Sequence, residues 1–186
     1  GRHDVDGTTA GVAFGGDYDT PEQQVGLFRT DRPWESCITI GGQWAWKPGD
    51  EVKTLEDCVR TLLACAGGDG NLLLNVAPGP DGTWQQGAYD LLAHIGAWMK
   101  VNGEAIYGTS ASPFKRLDWG RCTKKLTPDG AILYLHVFQW PADGKLLVPG
   151  LKNAGQQAYL MSDAAKKELA MQSSAEGLVL SVPTAA

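Results

Sequence analysis

The stretch "TLEDCVRTLLACAGGDGNLLLNVAP", Thr54 to Pro78, most constrains what this chain can fold into. Its first part places Leu55, Cys58, Val59, Leu62 and Leu63 at helical spacing, so one side of a helix is apolar. Thr54 is a natural N-cap, Asp57 stands at N3, and the glycines that follow end the helix. "NLLLNVAP" is then a short apolar run bounded by turn residues, the pattern of a strand buried on both faces in a parallel sheet. A second helix is predicted from about Gln86 to Val101, with Leu91, Leu92, Ile95, Trp98 and Met99 on one side and a stop at Asn102-Gly103. With "SCITI" (Ser36 to Ile40) reading as a strand ahead of these elements, the order is strand, helix, strand, helix. That is α/β grammar, as in part of a parallel barrel or an open sheet.

After "SASPF" (Ser110 to Phe114) the pattern changes. "WGRCTKKL", "AILYLHVF", "GKLLVPGL", "QAYLMS", "KELAMQSS" and "GLVLSVP" are short strand-like runs separated by "PDG", "PADG", "LKNAG" and "AEG". Strands so spaced predict an antiparallel β-sandwich. The expected division is an α/β part over residues 1–112 and an all-β part over 113–186. Residues 1–33, rich in Gly, Asp and Thr and without periodicity, read as an irregular segment lying over something else.

Several classes of function are disfavoured. The 186 residues carry a net charge of -5 and no cluster of Lys and Arg, so nothing points to nucleic acid or an anionic membrane as partner. No apolar run approaches the roughly 20 residues of a membrane span. Residues 1–10 are no signal peptide, and a chain opening on "GRHDVDG" without a start methionine reads as a piece of a longer protein. Cys58 and Cys65, seven apart on one helix, would stand roughly 10 Å apart, too far for a disulfide. His3, His94 and His136 lie in unrelated contexts without ligand spacing, so no metal site is expected. The glycines of "GGDGN" precede a strand rather than follow one, and no Gly-Lys-Ser/Thr is present, which argues against a phosphate loop. No Gly-x-Ser-x-Gly elbow occurs either.

What remains is carboxylates and indoles. Trp34, Trp44 and Trp46 fall within thirteen residues, and sugars are commonly held by an apolar face against an aromatic ring while polar groups fix the hydroxyls; core packing is the alternative for each. Glu22 and Glu35 flank the same region. Glycoside hydrolysis needs such a pair: one carboxylic acid protonates the leaving oxygen, and a second carboxylate serves as nucleophile or base. Spacing alone does not decide between chemistry and structure for either glutamate.

Three strings, "TPEQ…RPWESCITIGGQWAW", "GGDGNLLLNVAPGPDG" and "IGAWMKVNGEAIYGT", in this order resemble the second half of the catalytic domain of the α-L-fucosidases of glycoside hydrolase family 29. The part from Trp119 is similar to the β-sandwich that follows it. The resemblance implies the C-terminal part of an irregular (β/α)8 barrel plus an antiparallel sandwich. It implies a retaining enzyme that removes terminal α-L-fucose from a fucosylated oligosaccharide or glycoconjugate, with no metal or organic cofactor. Glu22 matches the family's general acid/base, Glu35 a site-shaping residue and reserve candidate, Arg2 an arginine that contacts fucose, and Trp44 the aromatic that packs on the sugar. A periplasmic or secreted location follows from the family's usual substrates.

Two departures stand out. The family usually reads Trp-Gly-Tyr where this chain has Trp44-Ala45-Trp46, so Trp46 could alter what sits beyond the fucose. The family nucleophile, an aspartate in a Trp-x-Asp-Gly strand end, has no counterpart in these residues and is expected upstream. The rival reading is a non-catalytic carbohydrate-binding protein in which both glutamates only accept hydrogen bonds from hydroxyls.

Overall fold

The helix and strand alternation expected of the first half is present in the computed structural model, which describes residues 17–26, 28–114 and 116–184. Strands β1 (Glu35–Thr39) and β2 (Asn71–Asn75) pair in parallel, Glu35 opposite Asn71 and Thr39 opposite Asn75. Helix α1 (Leu55–Gly67) makes the crossover between them, and α2 (Gln86–Asn102) follows β2. The Thr54 hydroxyl accepts the Asp57 N–H at 3.1 Å, so α1 starts where its capping residue dictates. At the other end the Gly68 N–H reaches the carbonyls of Cys65 and Ala66. The left-handed position after it is taken not by a glycine but by Asp69 (φ 70), whose carboxylate accepts the Ala111 N–H at 2.9 Å.

The neighbouring glycines serve another purpose. Trp34 is 3% exposed, and a Cβ added at Gly26 or Gly70 would overlap its indole; one at Gly68 would crowd it. The indole N–H donates to the Gly68 carbonyl at 3.1 Å and the Arg29 carbonyl at 3.3 Å. Trp34 is therefore core, its ring held in a slot that only hydrogen side chains leave open. On the same side of β1, Ile40 packs with Cys58, Ala88 and Leu91 of the helices, and Val52, Leu55, Leu74, Val76, Trp84 and Ile95 close around them.

Among the described residues β2 is covered on one side. Asn71 and Leu73 are exposed, Leu73 by 44%. Among the described residues, α1 and α2 pack over one face of the two-stranded sheet, the face of Ile40 and Leu74, and the other face stays open. An apolar run signals burial but does not say which layer supplies it.

In the second half β3 (Gly120–Thr127) and β4 (Gly130–Val137) form a hairpin on the predicted "PDG" turn. β5 (Lys145–Pro149), β6 (Met171–Ser173) and β7 (Gly177–Ser181) form an antiparallel sheet with β7 in the middle. Leu146 faces Leu180 and Val148 faces Leu178 across it, all four buried. Two predicted runs fail: "QAYLMS" forms no strand, and of "KELAMQSS" only Met171–Ser173 pairs. Between them the Asp163 carboxylate accepts the N–H groups of Ala165 and Lys167, and a single backbone bond, Leu169 N–H to the Ala158 carbonyl, spans the turn. A polar side chain here takes donors that a ladder would otherwise use.

The described residues fall into two compact units, those within 1–115 together with Cys122–Tyr134, and Arg116–Arg121 together with those from Leu135 on. All four cysteines are free thiols. No helix among the described residues is long and apolar enough to cross a membrane.

Candidate active site

The segment carrying Glu22 is less irregular than its sequence suggests. The Asp19 N–H donates to the Pro33 carbonyl (3.1 Å), Glu35 N–H to Asp19 (2.9 Å), Cys37 N–H to Pro21 (3.0 Å) and Gln23 N–H to Cys37 (2.9 Å). Asp19 and Glu22 thereby bridge Trp34 and Cys37 in parallel sense, and the segment runs as a broken third strand on the free edge of β1. Bridged residues in a pleated sheet point to the same side, and alternate residues of one strand share a face. Glu22 thus shares a face with Glu35, Cys37 and Thr39 of β1 and with Asn71, Leu73 and Asn75 of β2. This is the face the helices leave open.

The Cys37 thiol reports the same juxtaposition. Its pKa is raised, first by burial and then by the negative charges of Glu22 and Glu35, so both carboxylates act on one sulfur. Glu22 is exposed and Glu35 half-buried. The segment is anchored ahead of Glu22 by Asp19, whose buried carboxylate takes Arg29 at 2.5 Å and Arg32 at 3.1 Å. Removing that carboxylate would leave two guanidinium groups without their shared partner.

At the carboxyl end of β1 the chain enters the tryptophan loop. Gly42 N–H donates to the Asp50 carboxylate at 2.9 Å, closing the loop at its base. Lys53 Nζ donates to the Thr39 carbonyl at 2.6 Å and the Gly41 carbonyl at 3.1 Å. Asn75, ending β2, donates from its amide to the Trp44 carbonyl at 3.3 Å. Trp44 and Trp46 are 42% and 38% exposed, against the full burial of Trp34. Trp46 stands beside the turn after β2: an added Cβ on Gly79 would lie 3.5 Å from its indole nitrogen. In that turn the N–H and hydroxyl of Thr83 both donate to Asp81, holding its carboxyl below the usual range. Crevices outside the carboxyl ends of parallel strands are where α/β sheets bind ligands.

Of the residues singled out in the sequence, Glu22 and Glu35 share one open face, and Trp44 and Trp46 stand at the carboxyl end of the same strands. Arg2 and His3 lie outside the described residues. His94 is exposed on α2, while burial pushes His136, on β4, down to about 4. No group of three His, Cys, Asp or Glu that could hold a metal occurs among the described residues. An open cavity of about 380 Å³ lined by Asp50, Glu51, Val52, Gln85 and Gly87 includes neither Glu22 nor Glu35. The sequence reading missed Gln23, Thr39 and Asn75. Only Asn75 had a signal, a polar residue closing the apolar run "NLLL" at a strand's carboxyl end.

Comparison with known proteins adds to this geometry. The family profile described as "Alpha-L-fucosidase" matches residues 3–104, more than half of the chain. An alpha-L-fucosidase of Dictyostelium discoideum is 29% identical over 82% of this chain and 35% of its own length. Alpha-L-fucosidase isoenzyme 1 from Paenibacillus thiaminolyticus superposes with a TM-score of 0.79 at 32% identity, over 91% of this chain and 42% of that one. A GH29 alpha-L-fucosidase of Bacteroides thetaiotaomicron, trapped as a covalent intermediate with 2-fluoro-fucosyl fluoride, shares the fold at a TM-score of 0.78 and 24% identity, over 91% of this chain and 40% of that one. The chain thus spans between a third and a half of the length of these relatives.

Proposed function

The chain belongs to the α-L-fucosidase family of glycoside hydrolases, and from that premise we propose that it is the C-terminal part of an enzyme that releases terminal α-L-fucose with retention. The α/β part, 1–112, would complete a (β/α)8 barrel with upstream residues, and 113–186 would belong to a β-sandwich. The substrate is a fucosylated oligosaccharide or glycoconjugate, and an exported location fits such substrates.

Glu22 is the proton donor in this reading. It gives its proton to the glycosidic oxygen as an aspartate outside this chain attacks the anomeric carbon, and the aglycone leaves as an alcohol. Its carboxylate then takes a proton from the water that cleaves the fucosyl ester. The covalent intermediate trapped in the Bacteroides neighbour is the kind of species this course requires. Trp44 offers an apolar face to the sugar, Trp46 meets what lies beyond it, and Arg2 binds the fucose. Glu35 shapes the site.

The observation that carries the reading is the shared open face. Glu22 stands level with Cys37, nearer the tryptophan loop at the carboxyl end of β1, whereas Glu35 begins that strand. In parallel α/β folds the chemistry gathers at the carboxyl ends, which supports Glu22 over Glu35 as donor. The test is leaving-group dependence in the complete enzyme. Glu22→Ala should slow fucosides with poor leaving groups far more than activated aryl fucosides; if Glu35→Ala alone gives that signature, the roles are exchanged. The isolated 186-residue chain should not hydrolyse an aryl α-L-fucoside, and measurable turnover would place the nucleophile within it.

A further inference from the structure

Gln23 immediately follows Glu22 and takes φ 55, one of three non-glycine residues among those described with positive φ. A left-handed position costs an ordinary residue about 1 kcal/mol or more, so something must hold it there. Three hydrogen bonds do. The Gln23 N–H donates to the Cys37 carbonyl at 2.9 Å, its side-chain Nε2 donates to Thr39 Oγ1 at 3.3 Å, and its Oε1 accepts the Thr39 N–H at 3.4 Å.

The last of these explains the arrangement. Up to this point the edge segment pairs with β1 through the Cys37 N–H on Pro21 and the Gln23 N–H on Cys37. The next bond of such a ladder would join the Thr39 N–H to the Gln23 main-chain carbonyl. The main chain turns away at Gln23 instead, and its side-chain oxygen takes that N–H. Thr39 is 1% exposed, so its N–H could not turn to water. Thr39 in turn donates its hydroxyl to the Gly41 carbonyl at 2.7 Å, and Lys53 ties the carbonyls of Thr39 and Gly41 together. One connected set of bonds therefore runs from the residue beside Glu22 to the first residues of the tryptophan loop.

We propose that Gln23 is a positioning residue: its amide clamp on Thr39 lets the chain leave the ladder directly after Glu22 and fixes that carboxylate relative to Trp44. The proposal rests on Glu22 being the proton donor. A donor misplaced by about 1 Å loses on the order of 10²-fold in rate, and proton donation matters most where the leaving group is poor.

The experiment compares Glu22→Ala, Gln23→Gly, Thr39→Val and Thr39→Ser in the complete enzyme, using aryl fucosides of graded leaving-group acidity and thermal unfolding. Glycine accepts positive φ freely, so Gln23→Gly removes the clamp without backbone strain. Gln23→Asn, which tolerates the same φ but is too short to span to Thr39, replaces it if needed. Gln23→Gly is expected to lower kcat/KM for poor leaving groups by about tenfold or more and to spare activated substrates; the unfolding temperature falls somewhat, because the buried Thr39 N–H loses its partner, while the protein stays folded at the assay temperature. Thr39→Val should show the same sense and Thr39→Ser should not. A loss equal for all substrates, or a wild-type leaving-group slope in Gln23→Gly beside a steepened one in Glu22→Ala, overturns the positioning role alone. A wild-type slope in Glu22→Ala itself overturns the donor assignment and the clamp with it.

Discussion

The two faces of β1 are built from alternate residues of one five-residue strand and its flanks, yet they do opposite work. On one, Trp34, Ser36, Ile38 and Ile40 are all buried, the indole slotted between glycines and Ile40 packed among helix side chains. On the other, Glu35, Cys37 and Thr39 meet Glu22 and Gln23 from the edge segment and stand beside a half-open sheet. The adjacent pair Trp34-Glu35 shows what the difference teaches. Neighbours in a strand point to opposite sides, so a motif that reads as one unit in sequence splits into a core anchor and a carboxylate on the open face. The cysteines record the same division. Burial pushes Cys65, on α1, up to about 11, whereas Cys37 is raised by burial and, next, by the two glutamates.

Substitutions on each face should therefore fail in different ways. The largest effect is expected on the open face: Glu22→Ala in the complete enzyme should cost about 10²- to 10⁴-fold on fucosides with poor leaving groups. Its unfolding free energy should move by no more than about 0.5 kcal/mol, as for an exposed side chain. A comparable loss of stability in a denaturant titration would break the division. On the covered face Trp34→Ala should instead destabilise by about 3–5 kcal/mol, because a large ring and its slot are lost together. Gly70→Ala drives a methyl into the same ring, and about 1–3 kcal/mol is expected from denaturant midpoints.

The smallest effect sharpens the comparison most directly. Glu22→Gln removes one of the negative charges that raise Cys37, so its thiol pKa should fall. At a fixed pH below that pKa, alkylation of Cys37, followed by peptide mass spectrometry, should become faster while that of Cys65 stays slow. An unchanged Cys37 rate would mean that Glu22 does not face the sulfur.

Much of the first half was legible before any coordinates. α1 declared itself through Thr54, the apolar period and the glycines after it, because helix signals are local and each residue contributes within a turn or two. β2 was placed correctly: the helices cover its Leu74 side, and among the described residues Leu73, on the other side, is exposed. "QAYLMS" had the composition of a strand and found no ladder. Three tryptophans of similar context divided into one core ring and two exposed ones, which composition could not separate.

The family motifs, the helices and the candidate glutamates were determined by the sequence itself, since each depends on residues a few positions apart. Only the tertiary structure decided that Glu22 lies against Cys37 and that Gln23 closes on Thr39, sixteen residues away. Those pairings depend on which edge of β1 is free, where the edge segment stops pairing, and which buried N–H is left needing a partner. A strand's residues specify its two faces, but not the segment that comes to lie beside it.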